Sequence, residues 1–351
     1  MKKTSRTHPT KDYFTPQICH HWIKVILISL FVSSCSKEKK TDEILTTKFE
    51  WEPGISAPKY YPVGDVKIDF GNAGHGSLTN FDNGWGEEYG RVGSGEKFKD
   101  IPNEVYIHYI SAVENLQYNG KVQLPQKKIL DLFQKYNIND KNFAHLVVGM
   151  APGGWTRVWF TTVDKQIEVA KARLKGTEDN TLGEGFRYKK SEYWKKYKNY
   201  WQHHGIPYEA WANNEKEYDM YFDFNKPNQR EVGFSFTSLD GTFEQRIGIW
   251  KKFKRKLPVE FELGWRDKAK ETFYCSKFTM PKSFKTFVEK KGLNTIIFNL
   301  EIDNDDQYAT LYLGTNSSKE KIMIFKNEIP TAEEKKNNEY SYATEVKYFI
   351  P

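Results

Sequence analysis

The chain has 351 residues, 38% of them hydrophobic, with a mean hydropathy of -0.73; this excludes a multi-span membrane protein and allows one large core or two modest ones. The formal charge of +7 is too small for a nucleic-acid binder: five basic residues and one acid fall in residues 1–35, so most of the excess sits there and not on a clustered basic face. Three cysteines, Cys19, Cys35 and Cys275, supply neither a disulfide framework nor a CxxC metal site.

The first element in chain order is the apolar run Val25–Val32, broken only by Ser29. A membrane-spanning helix needs about twenty apolar residues, so this run is too short. Basic residues precede it and Val32-Ser33-Ser34-Cys35 closes it, which is the pattern of a bacterial lipobox. Small side chains give a peptidase access to the bond before Cys35, whose thiol then takes a diacylglyceryl group. The expectation is a lipoprotein signal peptide over 1–34, lipidation of Cys35 and a lipid-anchored tether over 35–48, although the segment before the apolar run is longer than usual. Several acyl chains hold a protein stably at a membrane. The basic start of "SKEKKTDE" predicts a periplasm-facing position in the bacterial cell envelope, with the outer membrane placed ahead of the inner.

Folded material follows in three parts: a first α+β repeat over 49–182, an aromatic-rich helical linker over 183–217 and a second α+β repeat over 218–351. In the first, "EVYIHYI" and "LQYNGKVQL" read as strands, "LPQKKILDLFQKYN" as a helix starting at Pro125, and "HLVVGM" and "TRVWFTT" as strands around "APGGW". The order is β-β-α-β-β. Without gaps, Ile101–Pro125 aligns with Leu257–Pro281, matching Pro102/Pro258, Glu104/Glu260, Tyr118/Tyr274, Lys121/Lys277 and Pro125/Pro281. Upstream, "SLTNFDNGWGEEYG" faces "SFTSLDGTFEQRIG" through Ser77/Ser235, Thr79/Thr237, Asp82/Asp240 and Gly90/Gly248. These matches predict an α+β fold of two diverged β-β-α-β-β repeats forming antiparallel sheet with helices packed on one face. In the linker, Tyr193, Tyr197, Tyr200 and Trp201 have helical spacing and predict an inward aromatic stripe.

"IPNEVYIHYISAVENLQYNGKVQLPQKKI" followed by "LVVGMAPGGWTRVWF" resembles a bacterial lipoprotein family filed as domain of unknown function 2931. Pro102, Tyr109, Ser111, Glu114, Tyr118, Leu124, Pro125, Gly149, Ala151, Pro152, Gly153, Gly154 and Trp159 occupy its motif positions. The likeness covers mainly Trp51–Thr162. It implies an envelope setting and a lipid anchor, and it brings no catalytic residue.

Chemistry-bearing constellations are sparse. His203 and His204 are adjacent and lack the i, i+4 spacing that puts two imidazoles on one metal, so no metal site is expected. His145, Asp82 and Ser77 or Ser111 make a hydrolytic set on paper, without a GxSxG elbow. Glu87 and Glu88 beside Trp85 offer a carboxylate and aromatic platform of the glycosidase type, against the plainer reading of an exposed loop. The acidic "DNDD" at Asp303–Asp306 lacks EF-hand spacing and reads as a hairpin turn. No cofactor is expected. Trp155, Arg157 and Trp85 are the binding candidates, since Trp and Arg concentrate interface energy. The first functional expectation is a non-enzymatic envelope protein, anchored to the membrane through Cys35, that binds a macromolecular protein partner, as in immunity-like protection against an envelope-targeting toxin. The alternative is an envelope polysaccharide-binding protein or hydrolase.

Overall fold

Apolar residues at every second position, and in the central strands short continuous apolar runs, dictate strands over most of the folded part of the chain. The computed structural model describes residues 48–88, 95–178, 192–224, 230–247, 253–267, 271–315 and 317–350. The signal peptide, Cys35 and the tether up to residue 47 lie outside the described residues. Among the described residues no helix is long and apolar enough to cross a membrane.

The first half comprises β1 (Lys48–Ser56), β2 (Val63–Asp69), β3 (His75–Phe81), β4 (Phe98–Asp100), β5 (Glu104–Ser111), β6 (Leu116–Gln123), α1 (Gln126–Lys135), β7 (Ala144–Met150), β8 (Trp155–Thr161), β9 (Gln166–Arg173) and β10 (Gly176–Glu178). Two helices follow, α2 (Glu192–His204) and α3 (Tyr208–Asn213). The second half comprises β11 (Glu217–Asp223), β12 (Glu231–Ser238), β13 (Phe243–Ile247), β14 (Phe253–Lys256), β15 (Pro258–Asp267), β16 (Thr272–Thr279), α4 (Phe284–Lys290), β17 (Thr295–Ile302), β18 (Tyr308–Thr315), β19 (Ser318–Lys326), α5 (Ala332–Asn337) and β20 (Val346–Tyr348).

These strands make four sheets, β4-β1-β7-β8-β9 and β10-β6-β5-β2-β3 in the first half, β14-β11-β17-β18-β19-β20 and β13-β12-β15-β16 in the second. The α+β expectation is therefore corrected: the fold is mostly β, and sheets, not helices, cover sheets. The reason is area. Helix α1 buries only Ile129 and Phe133, and α4 only Phe284 and Val288, which cannot cover the inner face of a four- or five-stranded sheet. Instead Val66, Ile68, Val105 and Ile107 of one sheet share a core with Trp51, Ile55, Leu146, Val148 and Phe160 of the other. A comparable core joins Phe234, Phe261, Leu263 and Phe278 to Phe222, Phe298, Leu311 and Met323. Nor is the pairing wholly antiparallel, because β1 runs parallel to β7 and β11 parallel to β17.

The strand order of the first half recurs in the second. β4-β1-β7-β8-β9 corresponds to β14-β11-β17-β18-β19, and β6-β5-β2-β3 to β16-β15-β12-β13. Register agrees as well: Glu104 opposes Gln123 where Glu260 opposes Thr279, and Val105 opposes Val122 where Phe261 opposes Phe278. The recurring unit is thus a two-sheet sandwich and not β-β-α-β-β. The upstream alignment needs the same correction, since Ser77 lies in β3 whereas Ser235 lies in β12, the counterpart of β2.

Aromatic side chains join the halves. Tyr60 stacks on Tyr200 of α2 at 4.0 Å between ring centroids, and Tyr61 meets Trp211 of α3 edge-on at 5.0 Å. The Gly241 carbonyl accepts the N–H groups of Lys59 and Trp85, both at 2.9 Å, and the Trp211 indole donates to the Asp240 carbonyl at 2.8 Å. Tyr197 and Tyr200 face inward on α2; the side chains of Tyr193 and Trp194 lie outside the described residues.

Candidate functional site

A cleft of about 1090 Å³ opens where the loop after β3 meets the β8–β9 hairpin, with β13, β14 and residues 214–217 forming the opposite wall. Its first wall begins with Ser56 at the end of β1. The Ser56 hydroxyl donates to the Gly84 carbonyl and accepts from the Gly86 N–H, both at 2.8 Å, so one buried side chain fixes the Gly-rich loop. That loop delivers Trp85, whose ring meets Trp159 of β8 edge-on at 5.1 Å. Gly149 of β7 makes room for both rings: a Cβ there would lie 2.4 Å from Trp159 and 2.9 Å from Trp85.

Trp85 is 3% exposed, and its indole N–H has no hydrogen-bond partner among the described residues. The Thr161 hydroxyl, also on the cleft wall, has none either. A buried polar group left unpaired costs on the order of 1–3 kcal/mol. Glu87 and Glu88 line the same cleft, where Glu88 forms an ion pair with His145. At the rim, Val163 at the β8–β9 tip is 97% exposed.

The three binding candidates are not brought together. Trp85 stands in the cleft wall. Arg157 is 1% exposed behind it, paired with Glu168 and donating to the Trp211 carbonyl at 2.6 Å. It joins β8 to α3 and offers no free face. Trp155 is half-buried at the APGG turn, under the Arg173 guanidinium at 5.2 Å and the Lys171 ammonium at 6.0 Å. Glu114 fastens that turn, accepting from the Gly153 N–H at 2.9 Å and from the Tyr118 and Tyr208 hydroxyls at 3.0 Å. Gly154, at φ +78°, leaves space that a Cβ would lose to the Leu174 carbonyl.

The paper triad is dispersed among other partners. His145 pairs with Glu88, and Asp82 accepts from the Tyr60 N–H at 3.0 Å beside Lys59. Burial raises the Asp82 carboxyl above its usual range, against the pull of Lys59. His203 and His204 close α2, and His204 Nε2 stands 3.7 Å from Glu260. Among the described residues no group of three or more His, Cys, Asp or Glu side chains is placed to hold a metal ion. Residues 303–306 form the β17–β18 turn, as read from sequence, but Asp306 turns inward to Arg230 and to the Trp265 indole at 3.2 Å.

Sequence reasoning missed the polar knot at the seam. Glu260 accepts from Tyr60 Oη at 3.0 Å, from Lys277 Nζ at 2.8 Å and from the Tyr342 hydroxyl, and Lys277 also donates to Tyr60 Oη at 2.8 Å. Burial pushes the Glu260 carboxyl up, but the neighbouring His204, the Lys277 ammonium and the hydrogen bonds from Lys277 and Tyr342 prevail and hold it at about 2. The signal available in the sequence was the match of Glu260 and Lys277 to Glu104 and Lys121.

Residues 35–209 match the model of a family described as "Protein of unknown function (DUF2931)". No curated protein and no solved structure matches the chain.

Proposed function

Residues 35–209 belong to the DUF2931 family, which carries no assigned reaction, and from that premise we propose that the protein is a lipid-anchored envelope protein that binds a macromolecular partner. The anchor is lipidated Cys35, the setting is the periplasmic side of the envelope, the outer membrane ahead of the inner, and the partner seats in the cleft between the two sandwiches. Immunity-like protection against an envelope-targeting toxin is the specific form of this reading.

The observation that carries it is the cleft itself: a recess of about 1090 Å³ whose wall is fixed by the Ser56 hydrogen bonds and the Trp85–Trp159 packing, under a rim capped by the exposed Val163. Such a recess supplies a fixed wall inside and an apolar contact outside, the arrangement by which a partner's loop is oriented and then gripped. The polysaccharide or hydrolase alternative calls for a flat aromatic face and two available carboxylates. Trp85 is edge-packed and buried, and Glu88 is engaged by His145, which favours the first reading.

The test is affinity capture from envelope extract with the full chain and with Val163→Asp, a fully exposed position. One specific protein recovered by the wild type and lost from the variant supports the reading; recovery of none, or equal recovery by both, overturns it. For the anchor, Cys35→Ser should release the protein from membranes and abolish fatty-acid labelling. A polysaccharide-cleaving activity of the wild type that is lost in Glu87→Gln with Glu88→Gln would restore the alternative.

A further inference from the structure

A second, smaller cavity of about 210 Å³ lies beside the Glu260 knot, where Tyr60, α2 and β12, β13, β15 and β16 converge. Its charges are of both signs. Glu262, two residues along β15 from Glu260 and so on the same face of the strand, makes no hydrogen bond and no ion pair among the described residues. Burial raises its carboxyl, with Lys277 opposing and Glu260 adding to the shift. Lys59 pairs with Asp82 at 3.8 Å and lies over the Phe243 ring at 5.2 Å, and Lys196 reaches Glu339 at 2.8 Å; both residues also line the cavity. The Ser235 and Thr237 side-chain hydroxyls complete the wall and make no side-chain hydrogen bond among the described residues.

A bare cation would meet Lys59, Lys196 and Lys277, and a simple anion would meet Glu260 and Glu262. A ligand carrying both charges satisfies both ends. The space equals about seven water molecules at ~30 Å³ each, below the ~300 Å³ at which drug-sized pockets begin. We propose that this cavity binds a zwitterion the size of a small α-amino acid, with its ammonium on Glu262, its carboxylate on Lys59 and Lys196, and its polar edge on Ser235 and Thr237. This site is separate from the partner cleft and does not rest on the partner reading.

The test is calorimetric titration and thermal melting of the detergent-solubilised full chain with glycine, L-alanine and D-alanine, using propionate and ethylamine as single-charge probes. A zwitterion should bind saturably and raise Tm with concentration, while the single-charge probes should not. Glu262→Gln should weaken binding roughly tenfold or more, the effect of losing one charge-assisted hydrogen bond. Ser235→Ala keeps every charge and should weaken it severalfold with an unchanged circular dichroism spectrum. The assignment is overturned by no zwitterion binding up to ~10 mM, which corresponds to water alone in the cavity, by ethylamine or propionate binding as tightly as alanine, or by wild-type affinity in both variants.

Discussion

The same ion pair occurs twice in this chain in two environments. Glu104 and Lys121 face solvent on β5 and β6, with side chains 35% and 62% exposed, whereas Glu260 and Lys277 occupy the equivalent positions at 3% and 8%. Lys277→Met should destabilise the protein by about 3–5 kcal/mol in urea denaturation, because it strands a buried carboxylate. Lys121→Met should leave the denaturation midpoint within error. The sign of the pH effect follows from the depressed Glu260 carboxyl: its stabilisation is complete above its ordinary 4.5 and is lost as pH falls towards about 2. Asp82, Glu215 and Glu262 are raised by burial and act in the opposite sense. The check is therefore the difference in Tm between wild type and Glu260→Gln, which should shrink as pH falls from 4.5 towards 2; a constant difference would contradict the assignment. Tyr200 offers a contrasting case, since its buried hydroxyl has no partner among the described residues. Tyr200→Phe should hold or raise Tm.

At the scale of elements, local patterning recovered β5, β6, α1, β7 and β8 in order, because β5, β6 and α1 carry a period and β7 and β8 are short apolar runs set off by the APGG turn. It missed β1 as a central element, since Pro53 and Gly54 read as punctuation. Pro53 is tolerated there because β4 pairs only with Lys48–Glu50, so beyond Glu50 β1 has a neighbour on one side alone. The burial of Trp85 was not legible for a related reason: its loop is polar in sequence, and the ring packs against Gly149 and Trp159, from strands 64 and 74 residues away. Gly149→Ala should displace both rings and cost about 1–3 kcal/mol in thermal unfolding, with a change in tryptophan emission. Unchanged emission would show that the two indoles are not packed on this glycine.

On the scale of the whole molecule, the unread part was the choice between covering a sheet with helices and covering it with another sheet. That choice depends on contacts such as Tyr60 to Glu260, 200 residues apart, which no window of sequence contains. The recurrence of Glu104 and Lys121 as Glu260 and Lys277 was legible; which copy would be buried was not. Because Tyr60, Tyr61 and Trp211 bury their rings at the seam and Tyr60 hydrogen-bonds Glu260 across it, the two sandwiches should unfold together. Calorimetry should give one transition whose van't Hoff and calorimetric enthalpies agree, and two resolved transitions would mean that the seam is weaker than its contacts imply.

The two sandwiches use different surfaces to meet: the first offers its Tyr60 loop, the second the β15–β16 face. Such a head-to-tail joint is not closed by symmetry, and identical units joined in this way would continue into an open chain. The first sandwich still owns the face that would accept a further unit. It carries Glu104, Lys121 and Gln123 already satisfied among themselves and bathed in water. Divergence of one ion pair's surroundings thus makes the same two positions a solvated face in one sandwich and an interior seam in the other.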